Sequence, residues 1–338
     1  NCLKIKPKDP LLLYNYAKLF HDQKIFKKAI KFYKESFEYN PENHLALYNI
    51  GNIHSLEGRF QEAITMFKRS LEINPENYMA YNNIGIAYKK IGNFKEALKF
   101  YKKAIEKNND YVDAHLNYST MLLTTGKLKE GFDEYEWRKK SSSFHDYINY
   151  RSLNLTSKVW NGENLNNKKI LIIAEQGIGD LIQFSRYLYL LKEKQNAEII
   201  LRIKGKSFYH FFSKSNFNLI SDKDEIPKHD FHIFMMSLLR IFFRTNKLFC
   251  SQVNFFPSDQ KIKEKWGVKL SKRKGFKIGI HWSTSALMPE KDVPLKHFIE
   301  LANDFNNDFF VLQKNVNLSD KNKLKNKKNI FYFPNMDS

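Results

Sequence analysis

Residues 51–107 read GNIHSLEGRFQEAITMFKRSLEINPENYMAYNNIGIAYKKIGNFKEALKFYKKAIEK, and the stretch overlays on itself at a displacement of 34. Gly51 falls on Gly85, Gly58 on Gly92, Phe60 on Phe94, Ala63 on Ala97 and Phe67 on Tyr101. The period extends outward in both directions. Ala29 and Gly131 continue the small position, Phe26 and Leu128 the apolar one, and Tyr33 and Tyr135 the aromatic one, while Pro41 and Pro75 close two units. Each unit carries two helical stretches separated by a turn, where Gly58, Gly92 and Gly126 adopt positive φ most easily. The spacing predicts helix pairs at 10–22 with 26–39, 44–56 with 60–73, 78–90 with 94–107, and 112–124 with 128–140. A helix pair cannot bury its apolar face alone, so such units stack into an α-solenoid with a concave surface.

A period of 34 with small residues at the helix crossing, an aromatic one turn later and a terminal proline resembles the tetratricopeptide repeat. Residues 1–140 are assigned to this solenoid. Counting back 34 places Cys2 with Ser36, Ser70 and Ala104, and Pro7 with the closing prolines. The chain is therefore expected to start inside an earlier repeat, as a piece of a longer protein. Asn15, Asn49, Asn83 and Asn117 are also 34 apart, all on first helices. Such a ladder of amides can donate to and accept from an extended polypeptide without reading its side chains; it can equally reflect an asparagine-rich chain. The repeats of the eukaryotic O-linked N-acetylglucosamine transferase carry a similar ladder that grips polypeptide.

The last repeat departs from the pattern. Trp137 stands where earlier repeats have Glu35, Arg69 and Lys103, and an aromatic terminal repeat is expected to dock onto whatever follows. Residues 141–167 read as a polar link containing Trp160. From 168 the period changes: 169–174 (KILIIA) suits a buried parallel strand, 175–180 (EQGIGD) a glycine loop, 181–194 a helix and 198–203 (EIILRI) the next strand. Weaker strands are expected at 217–221 and 231–235. A second unit follows a lysine-rich stretch, with strands at 276–282, 308–312 and 330–333 and a helix at 294–306. These boundaries give a first Rossmann-like domain at 168–262 and the start of a second at 275–338, too short in strands to be complete.

Composition bounds the function less than it first promises. The formal charge of +20 suggests anionic partners. Yet only 9 of the 56 basic residues are Arg, the usual bidentate reader of phosphate, and the lysines spread along the whole chain. A solvated lysine-rich surface competes with a polyanion site, and no nucleic-acid partner is assigned. Cys2 and Cys250 make neither a metal spacing nor a disulfide framework, which fits a reducing cytoplasm. His229 and His232 lack further ligand-spaced partners, so no metal is expected. No apolar stretch reaches membrane-spanning length.

In the glycine loop, backbone N–H groups and a helix N-terminus converge with Asp180. Asp180 can accept a proton from a sugar hydroxyl or simply cap its helix. The run Trp160-Asn-Gly followed by AEQGIGDLIQFSRYL resembles the segment after the repeats in bacterial tetratricopeptide-repeat glycosyltransferases. Their C-terminal part is similar to the lipopolysaccharide heptosyltransferases, which have the GT-B fold of two facing Rossmann-like domains. EYEWR at 134–138, His229-Asp-Phe-His232, Gly279-Ile-His-Trp282 and Phe310-Val-Leu-Gln-Lys314 look like that family too. The resemblance implies a glycosyltransferase using a nucleotide-sugar donor as substrate, without a cofactor, and a polypeptide or glycan acceptor recruited by the repeats. Asp180 matches the base that activates the acceptor hydroxyl, with Gln176, Gly177, Gly179 and Gln183 around it. Ser283, Thr284 and Lys291, in a loop ending Lys291-Asp-Val-Pro294, match the residues that hold the donor diphosphate. Read without the family, that hydroxyl-rich stretch is only a loop. The alternative is a non-catalytic protein-binding scaffold with a degenerate Rossmann-like portion.

Overall fold

A computed structural model describes residues 8–148, 153, 155–175, 177–205, 209–212, 215–244, 260–271, 273, 275–283, 292–304, 307–313, 315–325 and 327–333. The expected half repeat at the start of the chain lies almost wholly outside them. The chain divides into two units, 1–256 and 257–338.

The first unit opens with four helix pairs: α1 (Pro10–Asp22) with α2 (Phe26–Tyr39), α3 (His44–Leu56) with α4 (Phe60–Ile73), α5 (Tyr78–Lys90) with α6 (Phe94–Lys107), and α7 (Val112–Thr124) with α8 (Leu128–Glu134). Local signals set these bounds. Asp9 caps α1, accepting from the Leu11 and Leu12 amides at 3.0 Å, with Pro10 at the first helical position. Gly58, Gly92 and Gly126 turn the later pairs at φ +76°, +79° and +82°, and in the first pair Lys24 holds the equivalent position at +58°. The period also fixes the packing. Phe67 fills the space over Gly51, and Tyr101 that over Gly85; both rings are fully buried. Ser36 and Ser70 donate to the first residue of their own repeat's first helix, Pro10 and His44, at 2.7 and 2.9 Å.

The fourth pair differs from its expected form. After Glu134 the helix tightens into a 3₁₀ segment, Tyr135–Lys140. Trp137 stacks on His115 within its own repeat, ring centroids 3.6 Å apart and planes 8° from parallel. Docking falls instead to Leu128, Phe132 and Tyr135, which pack on the sheet's core, with Phe132 4.9 Å from Phe243.

The stretch read as a polar link belongs to the α/β region. It forms α9 (Ser142–Ile148) and β1 (Lys158–Val159), and buries Phe144, Leu153, Trp160 and Leu165. These apolar anchors are spaced too widely among polar residues for the average composition to betray them. Then follow β2 (Lys169–Ile173), α10 (Ile178–Phe184), α11 (Arg186–Gln195), β3 (Glu198–Ile203), β4 (Asn218–Ser221), β5 (Phe231–Phe234) and α12 (Ser237–Arg244). A single helix was expected where α10 and α11 stand. They break at buried Ser185, whose hydroxyl donates to the Ile182 carbonyl at 2.8 Å. The strands form one parallel sheet in the order β1-β5-β2-β3-β4, with Ile170, Ile172, Ile199 and Leu201 in its main core.

The second unit contains α13 (Gln260–Ser271), where the sequence suggested only a lysine-rich stretch. A parallel sheet β6-β7-β8 follows, made of Lys277–Ile280, Asp308–Val311 and Ile330–Tyr332 and joined by α14 (Leu295–Asp304) and α15 (Leu318–Leu324). Its core gathers Ile280, Trp282, Leu295, Phe309 and Val311.

Candidate functional site

Strand β2 sits at the centre of the five-stranded sheet, with β3 on one side and β5 on the other. The chain winds outward through β3 and β4, then crosses back to β5. The C-terminal ends of β2 and β5 therefore part at a topological switch point, where open parallel sheets leave a crevice for ligands. The glycine loop begins there, at Glu175, facing Met236 and Ser237 beyond β5.

Arg138, from the last repeat, enters this crevice. Its Nε and Nη2 donate to Glu175 Oε1 at 3.0 and 2.5 Å, Nη2 also to Ser237 Oγ at 2.9 Å, and Nη1 to the Tyr135 carbonyl and Glu136 Oε1 at 3.1 and 2.9 Å. Ser237 in turn donates to Glu136, and the Met236 amide to Glu175 Oε1. The cluster is dry: Arg138 and Glu175 are both under 5% exposed. Burial pushes the Glu175 carboxyl above the usual range, against the opposing pull of Arg138. Burial pushes Glu136 the same way, but Arg138 and Lys139 outweigh it and bring that carboxyl down to about 2. Glu175 Oε2 is buried with no hydrogen-bond partner among the described residues, a condition that costs about 1–3 kcal/mol.

Next to this cluster lies an open pocket of about 400 Å³, lined by residues of α7, the 3₁₀ segment, α9 and the glycine loop, Gly177 among them. Asp180 is close by. It does not hold the cap position of its helix: Gly177 does, with no side-chain cap hydrogen bond among the described residues. Asp180 is instead the third residue of α10, half-buried, with Oδ2 3.8 Å from where a Cβ on Gly177 would lie. Gly179 faces open space and Gln183 is exposed, whereas Gln176 lies outside the described residues.

In the second unit Ser283 follows β6. Its amide and that of Trp282 donate to Gln313 Oε1 at 3.1 and 3.3 Å, and its hydroxyl to Asp292 at 3.1 Å. Thr284 and Lys291 lie outside the described residues. Among those described, no three His, Cys, Asp or Glu side chains gather to hold a metal, and no helix is long and apolar enough to cross a membrane.

The asparagine ladder is bonded from repeat to repeat. Asn49 donates to Tyr14 Oη at 2.8 Å, Asn83 to Tyr48 Oη at 3.1 Å and to Asn52 at 2.9 Å, and Asn117 to Asn82 at 3.0 Å. Three of the four amides therefore tie adjacent first helices together, and Asn15 is exposed on α1. Sequence reasoning missed this clamp, although each tyrosine partner precedes the ladder asparagine of its own repeat. It also missed Arg138 and Glu175, 37 residues apart, which both sit inside motifs already singled out.

Residues 11–43 and 42–110 match family models described as tetratricopeptide repeat. Comparison with curated proteins finds no match. Among solved structures the chain is similar to MamA, at 21% identity over 41% of this chain and 81% of that one, with a TM-score of 0.39. YrrB, described as a TPR protein with an unusual peptide-binding site, shares 21% identity over 44% and 80%, TM-score 0.38. Pseudomonas aeruginosa PilF shares 17% over 44% and 69%, TM-score 0.39. The N-terminal part of this chain is a tetratricopeptide-repeat solenoid, continuous with a parallel α/β region.

Proposed function

We propose that the solenoid recruits a polypeptide or glycan acceptor and that the α/β region serves sugar transfer from a nucleotide-activated donor, in a GT-B arrangement. The observation that carries this reading is Asp180: a half-buried carboxylate in the first turn after a glycine loop, beside the switch point of a parallel sheet. A carboxylate there can take the proton of an attacking hydroxyl. Ser283, Thr284 and Lys291 are the proposed diphosphate holders, and Gln176, Gly177, Gly179 and Gln183 the backbone and amide groups around the reacting sugar. The ladder from Asn15 to Asn117 is the proposed peptide stripe, since repeat solenoids bind along their first-helix face.

The test is single-turnover transfer by the full-length protein from a panel of radiolabelled nucleotide sugars. Asp180→Asn should lower the rate by roughly 10²–10⁴-fold with donor binding little changed. A wild-type rate would end the assignment. A second reading, a protein-binding scaffold with a degenerate α/β portion, is favoured by Arg138, whose guanidinium fills the crevice that such sheets commonly leave for ligands. Calorimetric titration with the same panel separates them, because a scaffold binds no nucleotide sugar.

A further inference from the structure

We propose that the first-helix face of the solenoid selects an uncharged, extended polypeptide with an apolar side chain at every third residue. The inference rests on the reading that this face recruits the acceptor, and it chooses polypeptide over glycan. A second file with period 34 carries it. Leu11, Leu45 and Met79 each stand one helical turn before a ladder asparagine, on the same face as Asn15, Asn49 and Asn83. They are exposed, at 66%, 39% and 37%. A single exposed apolar residue is ordinary, but the same place left apolar and open in three successive repeats is a pattern. Asp113 takes the fourth place and ends the file. The amides alongside are largely committed, Asn83 donating to Tyr48 and Asn52, and Asn49 to Tyr14. The apolar file therefore adds a selection that the ladder, with these protons spent, does not supply.

Charge and spacing define the partner. Helix α3 contains no Asp, Glu, Lys or Arg, and α5 only Lys89 and Lys90 in its last turn, whereas α6, a second helix, carries five Lys and two Glu. A charged guest would lose hydration along the file without gaining a counter-charge. Neighbouring first helices touch through the Tyr14–Asn49, Tyr48–Asn83 and Asn82–Asn117 bonds, and helices in contact lie about 8–10 Å apart. A polyproline-type chain returns a side chain to the same side every three residues, about 9 Å further on. An alternating strand repeats at about 7 Å and falls out of step by the third repeat. An oligosaccharide has no apolar side chains to seat in the file.

Fluorescence anisotropy on the full chain tests this with no donor present, so the outcome is independent of transfer and of Asp180. The probes are labelled peptides of proline, serine and threonine with leucine at every third residue, with leucine at every second residue, and with leucine at every third residue but aspartate in the serine places. Maltohexaose competes as the glycan. The first peptide should bind saturably, about tenfold more tightly than the other two, and maltohexaose should not displace it. Leu45→Ser with Met79→Ser should weaken it about tenfold, with the circular dichroism spectrum unchanged because both side chains are exposed. Leu301→Ser removes a comparably exposed leucine of α14 and should change nothing. Equal affinity for either of the other peptides, or for the double variant, would overturn the proposal and leave recruitment by the solenoid standing. Binding of no peptide would overturn both, and displacement by maltohexaose would assign the face to a glycan.

Discussion

Replacing Arg138 by alanine tests whether repeats and sheet are one folding unit. The substitution removes five hydrogen bonds and leaves the fully buried Glu175 and the largely buried Glu136 without their common partner. Breaking a buried ion pair from one side costs about 3–5 kcal/mol, most of it the exposure of an uncompensated charge to a dry interior. For a unit of this size each kcal/mol moves the melting temperature by about 2–4 °C, so a drop of about 6–20 °C is expected. The loss should shrink as pH falls, because Glu175, freed from Arg138, sheds its charge by taking a proton. Adding Glu175→Gln and Glu136→Gln should restore part of the stability for the same reason. Scanning calorimetry reads all of these, with Lys139→Ala as a control expected to lose less than about 1 kcal/mol. If Arg138→Ala melts within a degree or two of wild type at pH 7, the cluster is not what joins the two parts.

Three further outcomes follow from the same structure. Gly85→Ala gains about 0.5–1 kcal/mol of helix propensity, but its Cβ would lie 2.6 Å from two ring atoms of fully buried Tyr101; overpacking costs about 1–3 kcal/mol, so denaturant unfolding should show a net loss that Tyr101→Leu relieves, and a more stable alanine variant would contradict the packing. Glu136, depressed from 4.5 to about 2, contributes stability that is present above its unfolded pKa and lost as pH falls through that window; the shift is worth about 3 kcal/mol, and Glu136→Gln should flatten that part of the stability profile in acid melts. Asn49→Ala with Asn83→Ala should weaken capture of a validated acceptor and also lower stability by about 1–3 kcal/mol, because both amides bond the preceding repeat; unchanged melting would mean that these bonds hold nothing together.

The solenoid was legible almost residue by residue because its period repeats local chemistry: glycines at left-handed turns, and small residues where an aromatic ring of the paired helix packs. The strands were legible for the same reason, as short apolar runs. What escaped was long-range. Nothing near Arg138 in sequence marks Glu175 as its partner, and the size of Trp137 suggested a docking role that its contact with His115 does not support. The region from 141 to 167 was misjudged because its buried residues are separated by polar ones that average them away. Glu175 is the instructive miss. It opens the glycine loop and was not singled out there, yet it holds the guanidinium of the last repeat.

The arrangement at Arg138 also makes the chain directional in how it can vary. A repeat contacts only its neighbours, so units could be gained or lost before α7 with little effect on the sheet. The fourth unit has no such freedom, since it supplies a wall of the crevice as well as the end of the array. Variation in reach is therefore confined to one side. Homologous chains with different repeat numbers should differ upstream of α7, with the unit that carries the equivalent of Arg138 staying at a constant distance from the glycine loop.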